Sequence, residues 1–250
     1  MNLVIITSVI NITNKLSAGV FSGAERFAQT LETVKSLHRI KNKAVAWVEG
    51  GQLTQEQEDI IKGIVDIYVN VSHIDLISGN NKSVGEAAQL LEALSIIDIS
   101  NYENVAKISG RYVLTPNFNQ DAFKDSRSAF LKIKGNINEN SILASKLVNV
   151  GDSFDVPEFL AKRGVHVFAA PDDPNRLVRP NYHTYFYKVN NREYNRLVET
   201  LQYVIKENAL IEDGFFRMFC GLAPFRVMEL SHIGVEGHNG ISGKIIRTKG

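Results

Sequence analysis

The sequence predicts an α/β fold: a mostly parallel sheet with helices on both faces. Two observations carry this. Short β-branched runs alternate with amphipathic helical patterns, and strand follows strand at intervals of roughly 20 to 40 residues. The first run, residues 3–6 (LVII), has no polar alternation, as expected of a strand buried on both faces.

The elements follow in order. Residues 3–6 end at Thr7 and Ser8, and a polar loop spans 11–19. Ser22 and Glu25 form a capping box before a helix with Ala24, Phe27, Ala28, Leu31, Val34 and Leu37 at helical spacing. Residues 44–48 are a second strand, ending at Glu49-Gly50-Gly51. Thr54 and Gln57 form a second box before a helix through Ile60, Ile61 and Ile64. Residues 66–71 are a third strand, and Ser83 with Glu86 reads as a third box before Ala87, Leu90, Leu91, Leu94 and Ile97. The fourth strand, 105–108, runs into Ser109-Gly110-Arg111-Tyr112.

After Tyr112 the pattern changes. Strands are expected at 130–133, 144–150, 165–170 and 184–189, with a short helix near Pro157 capped by Asp155. Residues 171–180 read as a loop. Asn190 and Glu193 open a helix with Leu197, Leu201, Val204 and Ile205, a second helix spans 211–220, and a late strand spans 225–230. The glycine-rich, basic tail 231–250 reads as a loop that orders over a ligand. With no repeat and no linker, residues 1–250 are expected to form one domain, a half at 1–115 followed by a mixed half at 116–250.

Composition narrows the function. Apolar residues make up 44% of the 250, enough for a large core, and the net charge of +1 argues against a protein whose main task is coating nucleic acid. Cys220 is the only cysteine, so neither an intrachain disulfide nor a cysteine-based zinc site can form, and a reducing, cytoplasmic location is the expectation. Cys220 itself reads as a small core residue. The N-terminal stretch lacks the basic flank and cleavage site of a signal peptide, and no run is long enough to span a bilayer. Contact with a membrane surface stays open. His38, His73 and His166 lack partners at metal-ligand spacing, and Tyr182, His183, Tyr185 and Tyr187 read as packing.

The sequence has no GxGxxG after the first strand, no GxxxxGK[ST], no HExxH and no GxSxG, so dehydrogenase, P-loop and those hydrolase chemistries are poor readings. Chemistry instead collects at the carboxyl ends of the strands, where open α/β sheets bind ligands. Thr7 and Ser8 end the first, Glu49 the second, Lys82 follows the third, and Lys107, Ser109, Gly110, Arg111 and Tyr112 end the fourth. A carboxylate suits a ribose; Lys, Arg and helix N-terminal amides suit a diphosphate. Each residue alone reads equally well as a turn or surface group, and only the shared edge makes the set informative. Arg26 reads chiefly as part of a solvated helix face, with a diphosphate contact as the alternative.

The stretch KISGRY, preceded by NKSVGEAAQLLEAL and followed by VLTPNFN, resembles GT-A-type glycosyltransferases of bacterial surface-polysaccharide clusters and of some large viruses and phages. ERFAQTLETVKSL and GVEGHNGISG are similar to the first helix and the C-terminal loop of the same proteins. The resemblance touches the first 120 or so residues and the last 40 or so. It implies a GT-A-like, Rossmann-type fold, a nucleotide-sugar donor bound by the N-terminal half and a glycan or glycolipid acceptor bound by the C-terminal half. It also implies an Asp-x-Asp metal motif after the fourth strand, where this chain has Ser109-Gly110-Arg111; Asp98, Asp152 and Asp155 do not restore it. The expectation is that Arg111 and Lys107 supply the charge and that no metal is required, with Mn or Mg held by other carboxylates as the alternative. For the base that deprotonates the acceptor, the candidates are the acidic pair Glu212 and Asp213, which also suits a helix first turn, and Glu236 with His238 between glycines. Two other functions stay open: a nucleotidyltransferase making an activated sugar, against which the 11–19 loop lacks a glycine-rich basic character, and a non-catalytic nucleotide- or glycan-binding module.

Overall fold

A computed structural model describes residues 1–12, 20–136, 168–170, 173–238 and 243–247. Strand β1 (Asn2–Ser8) pairs in parallel with β2 (Lys43–Glu49) on one side and β4 (Asn104–Ser109) on the other, and β2 pairs in parallel with β3 (Ile67–Asn70). Chain order therefore reverses at the β1–β4 boundary, the point where open α/β sheets form a ligand crevice. Beyond β4 the sheet becomes mixed. The 18-residue strand β8 (Asp173–Asn190) runs antiparallel to β4 and to β6 (Ser128–Asn136); β9 (Val227–Leu230) lies parallel to β6, and β7 (Phe168–Ala170) pairs with β8. The order is β3-β2-β1-β4-β8-β6-β9. The short strands β5 (Tyr112–Leu114), β10 (Val235–His238) and β11 (Ile245–Arg247) form a separate antiparallel sheet.

Helices cover both faces. Leu3, Ile5 and Val105 on one face pack with Leu90, Leu201 and Phe215 of α3 (Lys82–Ile96), α5 (Tyr194–Lys206) and α6 (Ile211–Phe219). Val4, Ile6 and Ile108 on the other pack with Leu37 after α1 (Gly23–Ser36), with Tyr112 of β5 and with Val235 of β10. The helix α2 (Gln55–Lys62) places Ile61 against Trp47 and Ile10, and a single turn, α4 (Asp121–Lys124), adds Phe123. The capping boxes at Ser22/Glu25 and Thr54/Gln57 are both formed.

Several expectations are corrected. The third helix is capped by Asn81, whose side chain accepts from the Ser83 and Val84 amides; Glu86 is instead drawn to a buried lysine. The expected strands at 130–133 and 184–189 are parts of β6 and β8, and β8 also takes in residues 173–180, expected to be loop, because hydrogen bonding across a long hairpin outweighs the local turn chemistry of Pro174 and Pro180. Asn190 caps a 3-10 turn, Asn191–Glu193, and the helix itself starts at Tyr194. The tail contains β10 and β11 where a loop was expected. The apolar stripe of α1 is only half-buried; its buried residues are Arg26, Thr30 and Thr33. The strand expected at 144–150, the helix near Pro157 and residues 165–167 lie outside the described residues.

Candidate functional site

A cleft of about 220 Å³ opens at the carboxyl ends of β1, β2 and β4, lined by Thr7, Ser8, Arg26, Lys82, Ser109, Gly110 and Arg111 together with the first turns of α3 and the loops after β1, β2 and β3. Its floor is tied down by two buried polar side chains. Glu49 accepts from the backbone amides of Ile10 (2.8 Å) and Gly51 (2.7 Å), from Trp47 Nε1 (3.2 Å) and from the Ser8 hydroxyl. It is fully buried, and burial, outweighing those donors, pushes its carboxyl up. Glu49 thus folds the loops after β1 and β2, and its oxygens are taken by the protein rather than offered to a ligand. Gln89 Nε2 donates to the carbonyls of Ser8 and Val48, both at 2.8 Å, joining the ends of β1 and β2. Sequence reasoning missed Gln89, although Lys82, Gly85, Glu86 and Gln89 recur at i, i+3, i+4 and i+7, one face of α3.

Three cations surround this floor. Arg26 is buried, contrary to the solvated helix face expected for it. Its Nε donates to the Phe21 carbonyl (3.1 Å) and its Nη1 reaches the Val9 carbonyl (3.4 Å), so the loops on either side of the undescribed segment 13–19 hold it inward. Arg111 follows a turn that only glycine fits: a Cβ on Gly110 would stand 2.7 Å from Thr30 Oγ1. The Arg111 Nε is sealed from solvent without a hydrogen-bond partner among the described residues. Lys82 extends from the first turn of α3. All three are held below their ordinary proton affinity, first by burial; Arg111 adds to this for Arg26, and both arginines add to it for Lys82. Among the described residues none of the three has a carboxylate within ion-pair distance. Three such cations facing one cleft can take the charge of a polyanion.

Lys107 does not line this cleft. It is 1% exposed, and its three donors are spent on Glu86, Ser109 Oγ (2.7 Å) and the Thr184 carbonyl (2.7 Å). β4 alternation turns Lys107 towards α3, whereas Arg111 lies beyond the strand, after the Gly110 turn. Glu212, at the start of α6, accepts from Thr184 Oγ1 at 3.2 Å. Burial, then the nearby Glu86, pushes the Glu212 carboxyl up, and Lys107 partly offsets them. Its neighbour Asp213 lies in the same turn of α6.

The other C-terminal candidates stand beside the Arg111 turn. β10 pairs with β5, and a Cβ on Gly237 would collide with the Arg111 carbonyl at 2.4 Å, so glycine lets the strand press against the turn. The His238 amide donates to that carbonyl (3.3 Å), and the His238 ring stands 5.7 Å from Phe21. Glu236 is paired with Arg247 at 3.0 Å. Tyr112 is buried, stacked on Tyr185 at 4.6 Å, and supports the turn from below.

The turn offers a hydroxyl, a bare glycine and a guanidinium, with no carboxylate of its own for a divalent cation. Among the described residues no three His, Cys, Asp or Glu side chains gather as a metal site. No helix among them is long and apolar enough to cross a membrane.

No family model matches the sequence, and no curated protein matches it. Solved structures do resemble the fold. The CTP:phosphocholine cytidylyltransferase of Streptococcus pneumoniae aligns over 94% of this chain and 92% of its own, with a TM-score of 0.52 at 11% identity. Core-mannan synthase A of Aspergillus fumigatus, in its Mn/GDP form, covers 94% of this chain and 73% of its own (TM-score 0.48, 12% identity). The galactosyltransferase LgtC, bound to donor and acceptor sugar analogues, covers 92% and 73% (TM-score 0.47, 10% identity). At these identities the likeness is one of fold: a mostly parallel α/β sheet flanked by helices.

Proposed function

We propose that this protein is a glycosyltransferase that moves a sugar from a nucleoside diphosphate to a glycan or glycolipid hydroxyl. The observation that supports it best is the cleft at the β1–β4 reversal, where Arg26, Lys82 and Arg111 stand without carboxylate partners among the described residues. In this reading the diphosphate lies against those three cations at the N-terminal end of α3, and the nucleoside enters between Thr7 and Ser8 and the loop after β2. The KISGRY resemblance points the same way. Lys107 and Glu49 act from behind, by holding the walls in place.

Transfer breaks the bond between the anomeric carbon and the diphosphate oxygen and forms one to the acceptor oxygen, whose proton passes to a base. The cations stabilise the charge that develops on the leaving diphosphate, without need of a metal. Glu212 is the base favoured here: Thr184 holds it at the start of α6, next to the Lys107–Glu86 pair, and burial raises its proton affinity. The salt-bridged Glu236 and the turn-bound His238 serve better to position Arg111.

A second reading, a nucleotidyltransferase that joins a nucleoside triphosphate to a phosphorylated substrate, is favoured by the cytidylyltransferase fold likeness and by a cation set that also fits a triphosphate. A screen of nucleoside diphosphates, triphosphates and nucleotide-sugars by thermal shift, with EDTA or manganese, followed by product analysis, separates the two. Sugar transfer or hydrolysis that survives EDTA is expected. Diphosphate release from a triphosphate would favour the second reading. Binding without turnover in any arm would leave a non-catalytic module.

A further inference from the structure

The cleft face of α3 carries a carboxylate one turn beyond Lys82. Residues i and i+4 share a helix face, and the rise between them is about 6 Å. Glu86 lines the cleft and is 25% exposed, yet its Oε1 is sealed from solvent against Lys107. The side chain is therefore fixed at one oxygen and open elsewhere. Ser109 stands beside it. Its oxygen accepts from Lys107, so its own proton remains to be given to a ligand. The carboxylate here meets two needs at once: it neutralises the buried Lys107 ammonium and leaves the rest of its group open to the cleft.

We propose that Glu86, fixed by Lys107 and flanked by Ser109, is a hydroxyl-accepting subsite that selects a neutral or amino sugar and rejects an anionic one. This rests on the reading of the cleft as a nucleotide-sugar site. An anion held at Lys82 and Arg111 places the next group of the ligand about one helical turn deeper, against Glu86. A carboxylate accepts from ligand hydroxyls or an ammonium and repels a uronate carboxylate. Its reach is set by Lys107, a positioning residue, while Ser109 supplies the complementary donor. Discrimination then comes from an unfavourable contact with the wrong sugar as well as a favourable one with the right sugar.

Calorimetric titration of the full chain tests this with UDP, UDP-glucose and UDP-glucuronic acid, and with GDP, GDP-mannose and GDP-mannuronic acid. The wild type should bind the neutral sugar of one series at least about tenfold more tightly than its uronate counterpart. Glu86→Gln should still bind that series' nucleoside diphosphate, which also reports folding, and should bring the two sugars within about threefold of each other. Glu86→Asp, which keeps the charge and shortens the arm, should weaken neutral-sugar binding but keep the preference. Diphosphate binding with an undiminished preference in Glu86→Gln, or equal binding of both sugars by the wild type, overturns the subsite alone. Failure of both nucleoside diphosphates to bind the wild type overturns the nucleotide-sugar reading, and the subsite with it.

Discussion

The two halves of the sheet treat their cations in opposite ways. In the C-terminal half, charges are matched. Lys132 meets Glu229 at 2.6 Å, which also accepts from Tyr182 at 2.7 Å; Arg127 meets Asp125 at 2.7 Å; and Arg226 meets Glu193. Lys188 is the exception: buried and pushed down to about 8 by burial, it donates to the Asp125 carbonyl rather than to a carboxylate. At the N-terminal edge, Arg26, Lys82 and Arg111 crowd one cleft with no such partners among the described residues. Matched charges fix the fold. Unmatched ones keep interaction energy in reserve, which is released when an anion binds. Lys107 belongs by sequence to the second group and by structure to the first.

That division can be broken at Lys107. Lys107→Met leaves Glu86 beside a buried apolar side chain, and a loss of about 3–5 kcal/mol of stability is expected in denaturant titration. Were Lys107 a ligand contact instead, stability would hold and only nucleotide binding would fall. Arg111→Ala should behave in the opposite sense: turnover of a nucleotide-sugar drops about 100-fold, close to 2.7 kcal/mol of barrier, while the melting temperature stays the same or rises, since a partly buried cation with no carboxylate partner among the described residues is removed. Retained turnover would sink the role given to the SGRY turn. On the matched side, Glu229→Gln should lower stability by about 1 kcal/mol and leave nucleotide affinity unchanged by calorimetry.

The smallest effect concerns pH. Burial holds His183, whose ring lies 4.5 Å from Tyr185, down at about 4 instead of the ordinary 6.5. The folded protein thus binds this proton more weakly than the unfolded chain. Stability present above pH 6.5 is lost as pH falls towards 4. Melting curves at pH 7 and pH 5 should show a steeper decline for the wild type than for His183→Gln.

The first four strands and two capping boxes were legible because each rests on local pattern: continuous β-branched runs, or a hydroxyl three residues ahead of Glu25 or Gln57. What could not be read was direction. Lys107 and Arg111 stand at the end of one strand, and nothing in the residue types says which points into the core; that depends on where Glu86 and Thr184 arrive. Arg26 looked solvated because its helix carries Phe27 and Leu31, yet the close approach of Thr30 to Gly110 turns the polar side inward. Glu86 looked like a cap until its partner, 21 residues later, was in place. The tail's glycines masked its strands, which form by long-range pairing: β10 on Tyr112–Leu114, and β11 on β10. Long-range pairing decided each of these points.

The contact between β10 and the Arg111 turn has a consequence for how the protein is made. The turn leaves the ribosome at residue 111, but the strand that presses on its carbonyl begins only at Val235. The parallel core around β1–β4 has most of its partners early, whereas the Arg111 turn at the cleft gains its backing more than 120 residues later. A nascent chain would therefore become compact well before it became competent to bind, and ligand affinity would report completion of the chain more faithfully than any measure of secondary structure.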